Sequence, residues 1–179
     1  IRKIKNEDLA LKPSMDFARD MFMFSFYTRG MAFVDMAYLR KKDLRGGVLT
    51  YRRRKTGQRL HVKWEKCMQE IIDKYPASPT GYLLPIITRN GRERTQYRNA
   101  LHLVNSLLKK IALLVGLHTN LTMYVTRHSW ASIARSQHIP LSVISEGMGH
   151  DSEATTQIYL ASLDRSAVDK ANRSILKKL

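Results

Sequence analysis

The sequence has very few of the residues on which disulfide-rich and membrane-spanning proteins depend. It contains one cysteine, Cys67, in 179 residues, so no internal disulfide can form, and this usage fits a reducing cytoplasm. No apolar run approaches the roughly 20 residues that cross a bilayer. The charged residues from Ile1 to Glu7 are unlike a signal peptide. Cys67 is therefore expected to act as a small buried hydrophobe.

Residue clusters that hold metals or nucleotides are also missing. His128 and His150 are not spaced as a compact set of ligands, and Cys67 stands alone. No glycine-rich phosphate loop, internal repeat or low-complexity stretch is present. We therefore expect neither a metal ion nor a cofactor.

Acidic residues are scarce, and this scarcity restricts the possible partners. The chain has 15 Asp and Glu against 31 Lys and Arg, a net charge of +16. Such a chain is attracted to polyanions, and nucleic acid and an anionic membrane surface are the two candidates. The length and the 44% hydrophobic content predict one folded domain.

Hydrophobic periodicity predicts a mainly α fold with a small β-hairpin or sheet. The expected helices cover 15–27, 31–39, 65–75, 95–117, a segment opening at 121–122, 140–147, 153–162 and 166–179. Ser14 and Thr122 are expected N-caps. Residues 1–13 are expected to be a linker or strand-like lead-in from a longer protein, and 14–179 the domain itself.

A strongly basic hairpin is expected over residues 48–63. β-prone segments flank the turn residues Lys55-Thr56-Gly57-Gln58. Its positive side chains are Arg52, Arg53, Arg54, Lys55, Arg59 and Lys63. Such a strand pair can lie along a DNA groove, with Arg52, Arg53, Arg54 and Arg59 as the contacts. The alternative is a solvated charged face.

Arg29 lies at a turn between two apolar helices, followed by Gly30. Burying a guanidinium without a partner is costly, so Arg29 is a candidate for a phosphate contact. The alternative is a structural pair with Asp35 or with a carbonyl at the end of a helix.

One forty-residue stretch combines a set of residues typical of phosphate chemistry. It contains Arg127-His128, Gly149-His150, and Tyr159 nine positions after His150. With Lys55 in its Lys-Thr-Gly turn, the chain resembles the catalytic domain of the tyrosine recombinases, the phage-integrase family, over roughly residues 15–170. Tyr159 on an amphipathic helix could otherwise be a half-buried packing residue, but the combined spacing favours the resemblance.

The chain departs from the family pattern at two places. Tyr124 stands where the family has the first histidine of H-x-x-R, and a Tyr can still donate to a phosphate oxygen. The early family motif aligns on Gly30 and Asp35, but its arginine position falls on Ala32. Arg29 is then expected to reach the same phosphate from the turn.

The resemblance implies a metal-independent mechanism in which Tyr159 attacks a DNA phosphate and forms a 3′-phosphotyrosyl link. Arg127 and Arg29 would hold the phosphate, and Lys55 would protonate the leaving 5′ oxygen. His150 would donate to a phosphate oxygen or orient Tyr159. His128 could do either, or be a packing residue.

The resulting hypothesis is a site-specific recombinase of the integrase or invertase type acting on double-stranded DNA. The resemblance implies an N-terminal DNA-binding domain and a homotetramer assembled on DNA from isolated monomers, with 174–179 docking on a neighbour. A bacterial, cytoplasmic, nucleoid-associated protein is expected, with no membrane partner. The alternatives are a type IB topoisomerase-like enzyme and a non-catalytic DNA-binding protein of the same fold.

Overall fold

The computed structural model describes residues 1–76 and 79–163, together with residue 176, as a mainly helical protein with one small sheet. The helices are α1 Arg2–Lys5, α2 Pro13–Tyr27, α3 Phe33–Ala37, α4 Lys66–Asp73, α5 Glu93–Leu114, α6 Val125–Ser136, α7 Leu141–Met148 and α8 Glu153–Leu163. The strands are β1 Leu44–Arg45, β2 Val48–Arg52 and β3 Arg59–Lys63. The predicted fold class is therefore confirmed. The chain divides into two compact units, Ile1–Trp130 and Ala131–Leu179.

Helix α2 forms the centre of the first unit. Its apolar residues cover most of the helix circumference, and Met21, Phe22 and Phe24 are completely buried. It packs against α4 and α5, and α5 presents Val104 and Ile111 to the same core. The run from Met21 to Ser25 is buried on all sides, whereas Asp16 and Asp20 nearer the start of the helix form ion pairs with Lys74.

The sheet is antiparallel in the order β1-β2-β3. Its β2–β3 pair is the predicted hairpin, whereas β1 was not predicted. Leu49 and Tyr51 of β2 and Leu60 and Val62 of β3 face the core. The alternation of side chains then places the basic residues of both strands on the opposite, exposed face.

Helix boundaries differ from the prediction at both ends of several helices, and the predicted N-caps are among the differences. Helix α2 begins at Pro13, with Lys12 as its N-cap and no side-chain cap, so Ser14 is not the cap. A proline at the first helical position needs no amide partner, and its fixed φ favours this start. Thr122 does not open α6, which begins at Val125 after a turn in which the Thr122 carbonyl accepts from Val125 N.

The lead-in segment is helical rather than strand-like. Residues Arg2–Lys5 form α1, and Ile4 is buried in the core of the first unit. Leu9 is buried there as well. The first dozen residues therefore contribute apolar contacts to the domain.

The second unit contains the packed helices α7 and α8. Helix α7 has Pro140 as its N-cap and ends at Gly149, whose φ of 62° is the left-handed conformation that favours glycine. Ile144, Met148 and Leu160 are buried. The predicted helix over 166–179 lies outside the described residues, apart from Leu176. Among the helices that the structure describes, none is long and apolar enough to cross a membrane.

Candidate active site

The turn between α2 and α3 packs directly against the start of α6. Arg29 and Gly30 both have positive φ, 65° and 76°, and the Ser25 carbonyl accepts hydrogen bonds from Gly30 N at 2.8 Å and Met31 N at 3.3 Å. A β-carbon on Gly30 would lie 2.4 Å from the Arg127 Cα. Gly30 is therefore the residue that allows the two backbones to meet, and the turn that contains Arg29 lies against Arg127.

Two buried hydroxyl groups hold these backbones together. Ser25 Oγ lies 2.7 Å from Thr126 Oγ1. Ser25 Oγ also lies 2.8 Å from the Met31 carbonyl oxygen, and Thr126 Oγ1 lies 2.7 Å from the Met123 carbonyl oxygen. Because each hydroxyl has a single proton, one of them donates to the other, which in turn donates to its own carbonyl. Both residues are almost fully buried, where an unpaired hydroxyl would be costly. This pair fixes the residue before Arg127, and nothing in the local sequence around either residue signals it.

A buried carboxylate lies among several guanidinium groups in the same unit. Asp35, only 5% exposed, accepts a hydrogen bond from the backbone N–H of Arg54 at 2.9 Å. Burial raises the pKa of the Asp35 carboxyl, while the Arg54 N–H and the charges of Arg53, Arg54 and Arg127 oppose that rise. Asp35 is therefore bonded to the hairpin, and the predicted alternative of an Arg29–Asp35 pair is not found in the structure.

The charge of Arg29 acts on the same cluster through Tyr51. Burial is the main cause of the raised pKa of the Tyr51 hydroxyl, and Asp35 adds to it. Arg53, Arg127 and Arg29 have the opposite effect, in that order. Arg29, Arg53 and Arg127 therefore lie within electrostatic reach of one buried side chain. Several cations around one carboxylate leave an excess of positive charge, which suits a phosphate.

Lys55 lies at the exposed tip of the hairpin. The turn is closed by Arg53 N donating to the Gln58 carbonyl at 2.8 Å and by Gly57 N donating to the Arg53 carbonyl at 2.7 Å. Gly57 has a φ of 72°. The preceding residue, Arg54, stacks its guanidinium on the Tyr38 ring, with 3.6 Å from Cζ to the ring centroid.

The outer face of the sheet is a continuous basic surface. Arg52 lies directly opposite Arg59, Thr50 opposite His61, and Val48 opposite Lys63. The basic sheet face, as we call it, comprises Arg45, Arg52, Arg59, His61 and Lys63. Arg45, Arg52 and Arg59, with Lys42 beside the sheet, also line a groove of about 730 Å³.

The four arginines predicted to contact DNA all line this groove but differ in their local surroundings. Arg52 and Arg59 lie on the basic sheet face. Arg53 and Arg54 lie beyond the strand, in the cluster around Asp35. The sequence pattern missed Arg45, because the two-residue strand that carries it has no alternation to detect.

Tyr124 and His128 form an aromatic pair at the start of α6. Their ring centroids are 4.4 Å apart with an interplanar angle of 82°. Tyr124 is 61% exposed, so its hydroxyl is open to a ligand. Burial and the neighbouring Arg127 charge lower the pKa of the His128 imidazole, which favours its neutral form near neutral pH.

In the second unit, the structure brings His150 and Tyr159 together. Their rings meet edge to face, with centroids 5.7 Å apart and an interplanar angle of 71°. His150 Nδ1 lies 2.7 Å from the hydroxyl of the fully buried Thr156. Thr156 and Tyr159 are three residues apart on α8, so one face of this helix orients both rings. The role of Thr156 was not predicted from the sequence.

Comparison with known proteins agrees with this fold. The structure is similar to the crystal structure of XerA recombinase, with a TM-score of 0.60 and 17% sequence identity. The match covers 89% of this chain and 62% of that one, so the chain spans less than two thirds of the length of the XerA chain. The comparison with curated proteins finds no match.

The family is established by the sequence itself. The model of the phage integrase family matches residues 12–166. That range includes the turn at Arg29, the hairpin tip at Lys55, Arg127 at the start of α6, and the His150–Tyr159 pair. The resemblance predicted from these residues is thereby confirmed, and the chain belongs to the phage integrase family.

Proposed function

We propose that the protein is a site-specific DNA recombinase that cleaves and rejoins one strand at a time through Tyr159. The observation that carries this proposal is the contact between the rings of His150 and Tyr159 in a chain of the phage integrase family. The hydroxyl of the buried Thr156 holds the His150 ring by its Nδ1, so the ring beside Tyr159 has a fixed orientation. The pairing of a nucleophile with an oriented polar group is typical of covalent catalysis.

In the proposed cleavage step, the Tyr159 hydroxyl oxygen attacks phosphorus and loses its proton to water. The bond from phosphorus to the 5′ oxygen breaks, and Lys55 supplies the proton that this oxygen takes up. The products are a 3′-phosphotyrosyl link and a 5′ hydroxyl. Because the link conserves the energy of the phosphodiester, rejoining needs no nucleotide cofactor and no metal in this scheme.

The cluster around Asp35 supports a role in stabilising the transition state. Negative charge grows on the non-bridging phosphate oxygens, and fixed cations are the side chains that stabilise it. Arg127 can grip two oxygens at once. Arg29 shares its location through the close contact of Gly30 with Arg127, and Arg53 joins the same set.

The remaining polar groups supply hydrogen bonds. If the Thr156 hydroxyl donates to His150 Nδ1, the proton of the neutral ring resides on Nε2, which can then donate to a phosphate oxygen. Tyr124 has an exposed hydroxyl that can take the place of the family histidine as a donor. The His128 ring packs against the Tyr124 ring, so we assign His128 the role of orienting Tyr124.

The same proposal covers the wider context of the protein. The basic sheet face would lie along the backbone of double-stranded DNA, and four copies would assemble on two recombining sites. We place this activity in the cytoplasm of a bacterial cell, on the nucleoid. Residues 14–179 would be the catalytic domain, and a separate DNA-binding domain would add sequence recognition.

Covalent capture tests the catalytic proposal. A pool of nicked duplexes with a randomised centre is incubated with the protein, because cleavage a few nucleotides 5′ of a nick in the same strand releases a short 5′-hydroxyl fragment and traps the adduct. Denaturing gels should show protein bound to DNA, and sequencing the trapped strands should give the preferred site. Tyr159→Phe should abolish the adduct while retaining DNA binding. Failure of the wild-type protein to form any adduct would exclude the catalytic role.

Arg29→Ala provides a second test on the captured duplex. We expect binding to persist and cleavage to fall by about a hundredfold or more, in line with the loss of one transition-state donor. Normal cleavage by this variant would remove Arg29 from the mechanism.

A further inference from the structure

The residue immediately before Lys55 is held at two points, although it lies at the exposed tip of a hairpin. The backbone N–H of Arg54 donates to the Asp35 carboxylate at 2.9 Å. Its guanidinium lies over the Tyr38 ring at 3.6 Å. Hairpin tips are ordinarily among the more mobile parts of a fold. Two attachments on one tip residue therefore need an explanation.

The base of this attachment is itself firmly packed. The Tyr38 ring meets the Tyr82 ring edge to face, with centroids 6.0 Å apart, and lies 6.3 Å from the Tyr97 ring. Tyr82 is almost fully buried. The aromatic platform under Arg54 is thus connected to the segment after α4 and to the start of α5, and not to the hairpin alone.

The aromatic platform is also close in sequence to the turn that contains Arg29. Asp35 lies in α3 and Tyr38 is the C-cap of that helix, which starts shortly after the Arg29-Gly30 turn. Gly30 in turn meets the Arg127 backbone. The hairpin tip is therefore attached to the same short segment, residues 29–38, that positions the proposed phosphate-binding arginines.

We propose that Tyr38 is a positioning residue for Lys55, acting through the stacked Arg54. The inference rests on the proposed function, in which Lys55 protonates the leaving 5′ oxygen. A general acid must come within hydrogen-bond distance of the atom that it protonates, and lysine has a long flexible stem. Because Arg54 is held by both its backbone and its side chain, the Lys55 backbone is held in place as well. The Lys55 amine can then reach only a restricted set of positions.

The proposal makes a chemical prediction that a purely structural role does not. If the bridging 5′ oxygen of the scissile phosphate is replaced by sulfur, the leaving group departs as a thiolate and needs no proton, because a thiol is far more acidic than an alcohol. Loss of the general acid then ceases to matter. A defect in the fold, or in the proposed phosphate-binding arginines Arg29, Arg53 and Arg127, would persist on both substrates.

The experiment compares oxygen and sulfur versions of the captured nicked duplex. Lys55→Ala should cleave the oxygen substrate slowly and the sulfur substrate at the wild-type rate. Tyr38→Leu should lose between about tenfold and about a hundredfold on the oxygen substrate, the range expected for a misplaced catalytic group, and should recover on the sulfur substrate. Tyr38→Phe, which retains the stacking ring, should restore cleavage of the oxygen substrate.

Arg54→Gln is the companion variant, because Arg54 is exposed and its replacement leaves the aromatic platform intact. It should show the same rescue by sulfur as Tyr38→Leu. If either variant stays slow on sulfur while Lys55→Ala recovers, or if Tyr38→Leu cleaves oxygen normally, the positioning role is wrong. If Lys55→Ala cleaves the oxygen substrate normally, Lys55 is not the acid and the inference fails with it. If the wild-type protein forms no adduct with either duplex, the proposed function itself fails.

Discussion

At the scale of single residues, the absence of one methyl group sets the distance between the arginine turn and α6. Gly30 has a φ of 76°, and its missing β-carbon would lie 2.4 Å from the Arg127 Cα and 2.7 Å from the Arg127 Cβ. Both neighbours belong to a residue at the start of a helix, so they cannot move aside as a flexible side chain would. The contact therefore controls the position of the whole first turn of α6.

Gly30→Ala should accordingly displace Arg127 and lower both stability and cleavage. The positive φ alone costs about 1–3 kcal/mol for a residue other than glycine, and the backbone clash adds to that. Gly81→Ala is the matched control, because Gly81 has the same φ of 76° and nothing within 4 Å of its β-position. Urea unfolding should show a loss of about 1 kcal/mol for Gly81→Ala and a clearly larger one for Gly30→Ala. Equal losses in the two variants would contradict the close-contact argument.

The buried carboxylate of Asp35 gives a prediction about pH. Its pKa is raised above the ordinary 3.8, chiefly by burial. Because the folded protein binds this proton more tightly than the unfolded chain does, the protonated carboxyl stabilises the fold. This contribution to the free energy of unfolding is complete below pH 3.8 and is lost as pH rises through the folded-state pKa. Asp35→Asn retains an oxygen acceptor for Arg54 N and has no charge to bury.

The Asn variant should therefore gain stability relative to the wild-type protein as pH rises from below 3.8 to neutrality. Chemical denaturation of both proteins across this interval measures the difference. A difference that stays constant with pH, or that turns against the variant as pH rises, would show that Asp35 is not destabilised by ionisation.

The position of a candidate residue was predictable where a motif specified it and not where the fold supplied the partner. The ring contact of His150 with Tyr159 was expected from their spacing, and the turn at Gly30 was expected from the break in the apolar pattern. The Ser25–Thr126 pair does not, since the two hydroxyls are 101 residues apart in sequence. The contact of Thr156 with His150 was likewise not predictable from the sequence, because it depends on how α8 packs.

At the scale of elements, the sheet combines a stability cost with a strongly basic surface. Arg52 and Arg59 lie directly opposite each other, and like charges in that arrangement are destabilising. His61 and Lys63 continue the same face. A surface that gathers positive charge at the expense of stability is best explained by a polyanionic partner.

Replacement of Arg59 separates these two effects. Arg59→Gln should raise the free energy of unfolding by about 0.2–1 kcal/mol, because it relieves the cross-strand repulsion. It should also weaken binding to duplex DNA of any sequence and lower the salt slope by about 1, the value for one lost phosphate contact. Lys110→Gln on α5 is the control, since it removes the same charge from an exposed position away from the sheet. An unchanged salt slope in Arg59→Gln would exclude the basic sheet face as the backbone contact.

Elements with a strong periodic pattern were predicted correctly, whereas the residues at which they begin and end were predicted less accurately. The hairpin follows from two β-prone segments around Lys-Thr-Gly-Gln, and α7 follows from Pro140 and Gly149. Strand β1 has only two residues and exists because Leu44 and Arg45 pair with β2, which is a tertiary effect. The same holds for the lead-in, where Ile4 becomes helical and buried against a core that its own sequence does not reveal.

At the scale of the whole molecule, the net charge opposes the association of free copies of the chain. The chain carries +16, and self-repulsion of this kind keeps a protein monomeric in solution. Duplex DNA carries one negative charge per about 1.7 Å of axis, so it can neutralise several copies at once.

The fold class and the family were predictable because they rest on global composition and on motifs spread over the chain. Assembly requires the partner as well.

The protein should therefore be a monomer alone and should form its multimer only on DNA. Light scattering in the absence of DNA should give the mass of one chain. With the captured duplex, the mass should correspond to four chains and two duplexes, because a recombinase must hold two sites together. A stoichiometry of one chain per duplex, combined with relaxation of supercoiled DNA, would instead identify the topoisomerase-like alternative. A stable tetramer without DNA would contradict this prediction, because it would show that contacts between chains overcome the repulsion of +16 per copy.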